Sequence, residues 1–452
     1  MKKITIIGGG ASGTLLAVNL VRNAGQTPIK VNLIEKRANV GRGVAFGTEY
    51  ETHLLNVPAA KMGGVHDDVE HFYKWLGGKG YSYEPNSFVP RKIFGMYLGD
   101  LLQESKNGSA PPNAKLNLID DEAIDLIERN GVLNVALSSG TEIVSDHAVL
   151  AFGNFLPPHP SVEDQAFITS NTYFQNPWTT EMYESLGADD SVFIVGTGLS
   201  MVDVAMHLNA HDHRGKIHAI STRGLLPAVH ELGFTYPAFY DELKPIREIT
   251  AMLKAVRRHI AVAEANGSNW RGVIDSLRPV TQQIWLDLPL AEKKYFKQHL
   301  SRYWNVARHR MPAKAAEVLN RMQEAGQLEI LKGRLRKIEF DRDQFDIEYS
   351  ADGMTNQIHA DVLINCIGSE SNFSNVDSPL VKNLMSHGSI RNDDLAMGLD
   401  ATPDGSIIGT NGAPSATLHT LGTALRGVLW ESTAIPEIRV QANKLALKLL
   451  RS

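Results

Sequence analysis

The apolar and polar positions near the start of the chain predict a buried strand, a glycine turn and a helix in immediate succession. Residues 4–7 form an apolar run, residues 8–13 read Gly-Gly-Gly-Ala-Ser-Gly, and the apolar spacing over residues 14–20 is helical. Residues 31–34 form a second apolar run, which ends in Glu35. This order of elements predicts the opening of a βαβ unit.

The same pattern returns in the middle of the chain. Residues 192–195 are apolar, residues 196–201 read Gly-Thr-Gly-Leu-Ser-Met, and residues 202–208 continue as a helix. A second strand is predicted over residues 216–220. Two such units predict two doubly wound α/β domains.

The spacing of the glycines gives both turns a chemical meaning. Gly8 permits a tight turn, Gly10 lets the backbone approach a pyrophosphate, and Gly13 lets the helix pack closely on the strand. The helix N-terminus supplies free amides for the anion. Glu35 lies 22 residues after Gly13, where an acid accepts hydrogen bonds from a ribose. The first unit is therefore predicted to bind a dinucleotide rather than only to connect two elements.

The second glycine turn is less regular than the first. Met201 occupies the position where the fingerprint has glycine or alanine, so the helix and strand are expected to pack less closely there. Arg223 follows the second strand of this unit, where an NAD site offers an acid. An arginine there favours NADP, because it bonds a 2′-phosphate. The alternatives are that Arg223 only solvates a loop and that the cofactor is NAD(H).

Composition narrows the function classes. The chain has 452 residues, 43% of them hydrophobic and 21% charged, with a formal net charge of −5, so its overall charge gives no reason to expect nucleic acid or an anionic membrane as a partner. Cys366 is the only cysteine, which excludes an internal disulfide and the paired thiols of a flavin disulfide reductase. We expect Cys366 to be a core residue. The histidines show no metal-ligand spacing, so no metal site is predicted.

The basic N-terminus, Met1-Lys2-Lys3, resembles the start of a secretory signal. The glycines interrupt the apolar run, however, and cleavage would destroy the first fingerprint. No other apolar stretch approaches the length of a membrane span. We therefore expect a cytoplasmic protein without a membrane partner.

Several segments resemble a bacterial group of FAD/NAD(P)-binding flavoproteins that is related to the NADPH-dependent flavin monooxygenases, including the amine N-hydroxylases. The segments begin with residues 41–62, which contain Gly-Arg-Gly-Val-Ala-Phe-Gly-Thr and His-Leu-Leu-Asn-Val-Pro-Ala. The others are a Pro-Arg-led helix from Pro90, two strands that end in glycine at Gly153 and Gly368, and residues 417–442. The resemblance implies an α/β fold with two Rossmann-like dinucleotide-binding domains, like glutathione reductase and the flavin monooxygenases, and with a helical insertion.

The resemblance also implies a domain layout and a set of cofactor contacts. Residues 1–156 and 369–452 are expected to form a discontinuous FAD domain, and residues 157–368 an NAD(P) domain, with proline-rich residues 157–160 at the first boundary. The Leu421-Gly422 turn is expected at the ribityl phosphate, and a helix N-terminus near Trp430 to Ala434 at the flavin ring. Together, fingerprints and resemblance predict cofactor contacts at Gly8, Gly10, Ala11, Ser12, Gly13, Glu35, Lys36, Gly43, Val44, Ala45, Asn56, Met62, Arg91, Gly153, Gly196, Gly198, Leu199, Ser200, Arg223, Gly368, Gly422 and Trp430.

Residues 241–320 have no counterpart in that resemblance. They carry fourteen Lys and Arg against eight Asp and Glu, with helical apolar spacing and many aromatic residues. Two interpretations remain open for this basic helical insertion. It forms a lid in which Trp304, Arg308 and Arg310 face the substrate, or it forms a solvated cap around an aromatic core.

The predicted cofactors are FAD and NADP(H), and three functions are compatible with them. The first is a monooxygenase that hydroxylates a small, nitrogen-containing substrate, and it needs no protein nucleophile or acid–base pair because the cofactor carries the chemistry. No catalytic residue is assigned for this reason. The second is an NAD(P)H-flavin reductase or oxidase that passes electrons to oxygen or another acceptor. The third is a non-catalytic FAD-binding redox sensor or scaffold.

Overall fold

The protein is built on two parallel β-sheets, and the computed structural model describes residues 1–36, 40–107 and 111–452. The strands are β1 (Lys2–Ile7), β2 (Ile29–Glu35), β3 (Ala114–Asp120), β4 (Ala123–Arg129), β5 (Val132–Leu137), β6 (Glu142–Ser145), β7 (His147–Leu150), β8 (Tyr173–Phe174), β9 (Val192–Val195), β10 (Ile217–Ser221), β11 (Leu328–Lys332), β12 (Arg334–Asp341), β13 (Gln344–Ala351), β14 (Met354–Ala360), β15 (Val362–Asn365), β16 (Ser406–Ile408) and β17 (Pro414–Thr420). The helices are α1 (Ala11–Asn23), α2 (Gly43–Phe46), α3 (His71–Gly78), α4 (Arg91–Asn107), α5 (Thr180–Ser185), α6 (Leu199–Ala210), α7 (Tyr240–Leu243), α8 (Ile249–Ala265), α9 (Trp270–Leu277), α10 (Thr281–Asp287), α11 (Leu290–Tyr295), α12 (Ser301–Arg308), α13 (Ala313–Glu324), α14 (Pro379–Ser386), α15 (Arg426–Leu429) and α16 (Ile435–Arg451).

The first sheet joins strands from both ends of the chain in the order β16-β17-β7-β1-β2-β3. All neighbours are parallel except β16 and β17. The sequence predicts residues 116–118, 132–137 and 143–144 as short strands of a small antiparallel insertion, and this prediction is wrong for residues 116–118. These residues lie in β3, which pairs in parallel with β2 from Ile29↔Ala114 to Glu35↔Asp120, because alternation along a strand does not reveal its partner.

The second sheet is entirely parallel, with the order β11-β10-β9-β15-β8. All of its strands lie between residues 173 and 365, so this sheet is inserted between the two parts of the chain that form the first. Two antiparallel sheets, β4-β5-β6 and β12-β13-β14, accompany the parallel ones. Every residue of β7, β9 and β15 is buried, as expected for parallel strands covered on both faces.

Helices cover each parallel sheet and position its glycine turn. Helix α1 packs against α4 and the C-terminal helix α16, and their apolar faces share one core with β1 and β2. Helix α6 packs against α13 over the second sheet. Across the described residues, we find no helix with the length and hydropathy needed to cross a membrane.

The helical insertion consists of α7 to α12. Residues 311–320 do not belong to it, because Met311 and helix α13 are part of the core of the second sheet. The insertion instead packs on the C-terminal part of the first unit, where Trp285 and Phe296 share a core with Leu395 and Trp430. It therefore bridges the two units.

Candidate cofactor and substrate site

The first glycine turn lies at the carboxyl end of β1, in the middle of the first sheet. Gly8 has a φ of +109°, and a Cβ there would lie 2.5 Å from the carbonyl oxygen of Ala151. A Cβ at Gly13 would lie 1.9 Å from the Gly8 carbonyl oxygen. Gly10 is the N-cap of α1, and no side chain caps the helix. The amides of the first turn, which include those of Ala11 and Ser12, are therefore available for an anion.

Predicted contacts from distant parts of the sequence meet at this turn. The Gly9 amide donates to Oε2 of Glu35 at 2.8 Å, which places the carboxylate beside the turn. A Cβ at Gly10 would lie 3.5 Å from the Cα of Gly43, its nearest neighbour. Gly422 lies so close to Ser12 that a Cβ there would be 2.5 Å from the Ser12 hydroxyl oxygen. The turn is thus surrounded by backbone and small side chains, as a bound pyrophosphate requires.

The second glycine turn has the same geometry at the carboxyl end of β9. Gly196 has a φ of +112°, and a Cβ there would lie 2.3 Å from the Cys366 carbonyl oxygen. Gly198 is the uncapped N-cap of α6, which begins at Leu199 and Ser200, and a Cβ at Gly198 would meet no atom within 4 Å. Space beside this helix N-terminus is therefore open. Met201 is fully buried in the core of the second sheet.

Basic residues gather at the carboxyl ends of β10 and β11. Arg223 is exposed and lines a cleft of about 290 Å³ together with Arg302, Lys332 and Arg334. The only acid in the cleft wall is Asp352, whose Oδ1 lies 3.5 Å from Lys332 Nζ. Sequence reasoning identified only Arg223, because parallel pairing of β10 with β11 brings Lys332 beside it from more than 100 residues away.

A cavity of about 230 Å³ lies between the first unit and the insertion, and we call it the polar cavity because charged side chains form part of its wall. Its lining includes the predicted residues Gly153 and Trp430, together with His309, Arg426 and Glu431. The helix N-terminus predicted near Trp430 to Ala434 is present, because Ala434 is the N-cap of α16, which begins at Ile435. Trp430 itself follows the end of α15.

The backbone at Trp430 is strained. Its φ of +61° and ψ of −65° form a γ-turn, in which the Glu431 amide donates to the Leu429 carbonyl oxygen at 2.7 Å. A bulky residue in this conformation costs on the order of 1–3 kcal/mol, and such strain concentrates at functional sites. The indole is held against Trp285, with ring centroids 4.9 Å apart.

Glu431 is the buried centre of a charge network beside this cavity. Its carboxylate accepts from Trp304 Nε1 at 3.0 Å and lies 3.5 Å from Arg308. Burial alone would raise the pKa of Glu431, but Arg308, His309 and the Trp304 hydrogen bond together hold that pKa below its usual value. Burial lowers the pKa of His309 to about 4, so the imidazole is neutral at physiological pH. The charged residues in the described wall of the cavity are Arg426 and the two acids Glu370 and Glu431, and Arg308 pairs with Glu431 beside it.

Arg91 connects the two units instead of lying open beside a cofactor. Its guanidinium lies 2.8 Å from Asp203 on α6, and its Nε donates to the Leu54 carbonyl oxygen at 3.0 Å. Burial raises the pKa of Asp203 to about 6, although Arg91 opposes the shift. Beside this pair, the buried His53 imidazole contacts Thr48 at 2.8 Å and the Tyr183 hydroxyl at 3.2 Å.

The other residues predicted to contact a cofactor lie in environments that range from exposed to buried. The side chain of Lys36 is half exposed and pairs with Glu122 at 2.7 Å. Met62 is buried in the core of the first sheet, so its side chain is not available to a ligand as predicted. The Asn56 carbonyl oxygen accepts from His230 at 3.0 Å. Val44 and Ala45 lie on α2, and Gly368 has a φ of +97° after β15.

Two further expectations concern Cys366 and Arg310. Cys366 is a core residue as expected, and burial raises the pKa of its thiol, which disfavours a reactive thiolate. Arg310 does not face a substrate. It is 2% exposed and forms a bidentate pair with Asp275 at 2.9 and 3.0 Å.

Comparison with known proteins agrees with this architecture. Residues 5–155 match the model of a family described as FAD-NAD(P)-binding. An ornithine N-hydroxylase from Kutzneria sp. 744, solved with reduced FAD, NADP⁺ and L-ornithine, superposes with a TM-score of 0.68 at 13% identity, covering 99% of this chain and 98% of that one. The chain has the fold of the N-hydroxylating flavin monooxygenases. L-lysine 6-monooxygenase from Pseudomonas syringae shares this fold with a TM-score of 0.67 at 16% identity, covering 100% and 99% of the two chains.

The same fold extends to enzymes with other chemistry. The bacillithiol disulfide reductase of Staphylococcus aureus superposes with a TM-score of 0.56 at 13% identity over 100% of this chain and 99% of that one. A comparison with curated protein sequences finds no match. The flavin-monooxygenase fold is thus established, whereas the reaction has to be argued from the site.

Proposed function

We propose that the chain is an FAD-dependent, NADPH-using monooxygenase that hydroxylates a small organic substrate. The observation that carries this proposal is the pair of uncapped glycine-turn helices, α1 and α6, each at the carboxyl end of a central parallel strand. One such turn binds one dinucleotide. A chain with two of them is suited to pass a hydride from one dinucleotide to the other.

FAD is assigned to the first unit, which comprises residues 1–156 and 369–452 in this proposal. The Gly8–Gly13 turn and Gly43 would border the pyrophosphate, Glu35 the adenosine ribose, and Gly422 the ribityl phosphate. FAD fits these residues, because no side chain caps the helix N-terminus at Gly10 and the atom nearest to a Cβ at Gly10 would be the backbone Cα of Gly43. When bound, FAD supplies hydride acceptance and oxygen activation.

NADPH is assigned to the second unit, residues 157–368. Gly196, Gly198 and the amides of Leu199 and Ser200 would hold its pyrophosphate at the N-terminus of α6. The cleft of Arg223, Arg302, Lys332 and Arg334 offers several cations to a 2′-phosphate, which NADH lacks. The four cations of this cleft are stronger support for NADPH as the cofactor, rather than NADH, than Arg223 is by itself.

The polar cavity is the proposed reaction site. Asn305 and His309 of the insertion form part of its wall and limit the access of water, and Arg426 provides a positive charge that stabilises developing negative charge. His309 and Glu431 keep fixed protonation states near neutral pH, neutral and negative respectively. The two N-hydroxylating structural relatives have ornithine or lysine in their names, and we extend to this chain the reaction class, flavin-dependent hydroxylation of a small molecule.

The test is an anaerobic titration of the purified protein with NADPH and, separately, with NADH, followed by admission of air. We expect bound FAD, faster bleaching by NADPH, and slow release of hydrogen peroxide. Rapid peroxide release that no candidate substrate suppresses would favour the reductase or oxidase alternative. A flavin that neither nucleotide reduces would contradict the proposal and favour a non-catalytic FAD-binding protein.

A further inference from the structure

The insertion encloses a second cavity, of about 530 Å³, that differs in chemistry from the polar one. Its wall is formed by aliphatic side chains and the four indoles of Trp270, Trp285, Trp304 and Trp430. The volume is within the range of small-molecule sites, which are commonly apolar.

Three polar groups in this wall already have partners inside the protein. Trp285 Nε1 donates to the Gly427 carbonyl oxygen at 2.9 Å, and Trp304 Nε1 donates to Glu431 at 3.0 Å. The Thr281 hydroxyl donates to the Leu277 carbonyl oxygen at 2.9 Å. A zwitterionic amino acid would therefore lose its hydration here without compensating hydrogen bonds.

Among the residues that the structure describes, Arg257 is the only charged one that lines the cavity. Its side chain is exposed on α8, and within the described parts of the chain it takes part in no ion pair. The neighbouring Arg258 is paired with Glu242 instead. The cavity thus combines an apolar interior with a single free cation at a solvent-exposed position, which complements one anionic group on a hydrophobic molecule.

Trp430 connects this cavity to the proposed reaction site. It is the one residue that lines both the apolar and the polar cavity. Its indole is fixed between Trp285 and Phe296, each with a ring centroid 4.9 Å away, and its backbone is strained. A ligand that fills the apolar cavity would therefore reach the wall of the reaction site.

We propose that the apolar cavity binds the hydrophobic body of the substrate, an apolar alkyl or aryl monocarboxylate whose carboxylate pairs with Arg257. That this ligand is the substrate rests on the proposed function, whereas its binding does not require that NADPH reduces the flavin. This substrate differs from the ornithine or lysine in the names of the structural relatives, because the ammonium groups of those amino acids have no acidic partner among the described residues that line this cavity.

Binding is tested by calorimetry on the purified protein with dodecanoate, naphthoate, dodecan-1-ol and L-lysine. We expect one site for dodecanoate or naphthoate and no heat with L-lysine. Val256→Trp fills the cavity and should weaken binding at least about tenfold. Val262→Trp is the matched control, because Val262 lies on the same helix, is 46% exposed and does not line the cavity.

The anionic group is tested separately. Arg257→Gln should weaken dodecanoate about fivefold and leave dodecan-1-ol unchanged, as expected for one solvent-exposed ion pair. Lys254→Gln, an exposed neighbour on α8 that does not line the cavity, should change neither. Equal weakening of acid and alcohol in Arg257→Gln would overturn the role of Arg257.

A turnover measurement separates this proposal from the proposed function. Saturating dodecanoate or naphthoate should change the rate of NADPH oxidation in air, and Val256→Trp should remove that change. If NADPH reduces the flavin but neither acid binds, or both bind equally to Val256→Trp and Val262→Trp, the cavity proposal alone is overturned. If an acid binds as expected but NADPH does not reduce the flavin, the proposed function fails and the ligand site stands.

Discussion

The fold itself requires two glycines of the first turn, Gly8 and Gly13, whereas a third, Gly10, leaves room for a ligand. Side chains at Gly8 and Gly13 would collide with backbone oxygens, so these positions hold the helix against the sheet. Gly10 has a φ of −72° and its Cβ would make only an ordinary contact. A glycine that its own structure does not require is best explained by a bound group.

This difference gives the first prediction. Gly10→Ala should keep the apoprotein as stable as the wild type, within about 0.5 kcal/mol, and lower FAD affinity at least about tenfold, because the methyl group blocks the pyrophosphate. Gly13→Ala should destabilise the apoprotein by about 3 kcal/mol through overpacking. Urea unfolding of FAD-free protein and flavin titration measure the two effects. Full FAD affinity in a folded Gly10→Ala protein would refute the site.

The basic cleft gives a second prediction about individual charges. Arg223→Ala or Lys332→Ala should raise the KM for NADPH about tenfold and leave the KM for NADH unchanged, because each removes one cation from the 2′-phosphate. Arg336→Ala is the control, because Arg336 bonds Ser350 but does not line the cleft. Steady-state kinetics with NADPH and with NADH measure both KM values. An equal rise in the KM for NADH would mean that Arg223 and Lys332 do not contact the 2′-phosphate.

At the scale of elements, the sequence predicts the helices, strands and turns whose formation depends on residues close together in the chain. The strands, glycine turns and helices around Gly8 and Gly196 are present as expected, because β-branched runs, glycine spacing and helical periodicity are local signals. The partner of β3 is not local, and its alternation fits a parallel as well as an antiparallel neighbour. Lys332 joins Arg223, and Asp203 joins Arg91, only through tertiary pairing.

The contacts that attach the helical insertion to the first unit also could not be predicted from local sequence. Its aromatic residues indicate a packed helical segment, but nothing local to α12 indicates that Trp304 and Arg308 reach Glu431 of the first unit. Neither the lid nor the solvated cap describes the result fully. The insertion has an aromatic core and also buries charged contacts against the other unit.

A third prediction follows for this attachment. Arg308→Met should destabilise the protein by about 3 kcal/mol, because it leaves the buried Glu431 carboxylate without its nearest cation. Arg258→Met, which breaks an exposed pair on α8, should cost less than about 1 kcal/mol. Urea unfolding monitored by tryptophan fluorescence compares them. Equal effects of the two substitutions would show that the buried network does not hold the insertion in place.

At the scale of the whole molecule, buried polar groups join the two sheet units. Arg91 from the first unit pairs with Asp203 from the second, and His53 contacts Tyr183 across the same boundary. Such pairs are satisfied only when both units are in place, because a buried charge without its partner is costly. The junction therefore makes the arrangement of the two cofactor turns part of the folded state.

Buried histidines make this folded state sensitive to acid. Burial lowers the pKa of His53 to about 3 and the pKa values of His207, His230, His309 and His419 to about 4. In the unfolded chain these groups take up protons near pH 6.5, about two units or more above the folded state. Their contribution to stability is therefore complete above about pH 6.5 and is lost as the pH falls toward 4. Asp203, with its pKa raised to about 6, and Asp393, whose pKa burial also raises, act in the opposite direction but are fewer.

We therefore predict that the free energy of unfolding falls by at least about 3 kcal/mol between about pH 7.5 and 5. The midpoint of urea unfolding at both pH values measures the change. His53→Gln should reduce this pH dependence by about a fifth, since one of the five strongly shifted histidines is removed. His66→Gln, which alters an exposed histidine, should leave it unchanged. A midpoint that is the same at both pH values would contradict the prediction and would mean that the junction admits water and protons in the folded state.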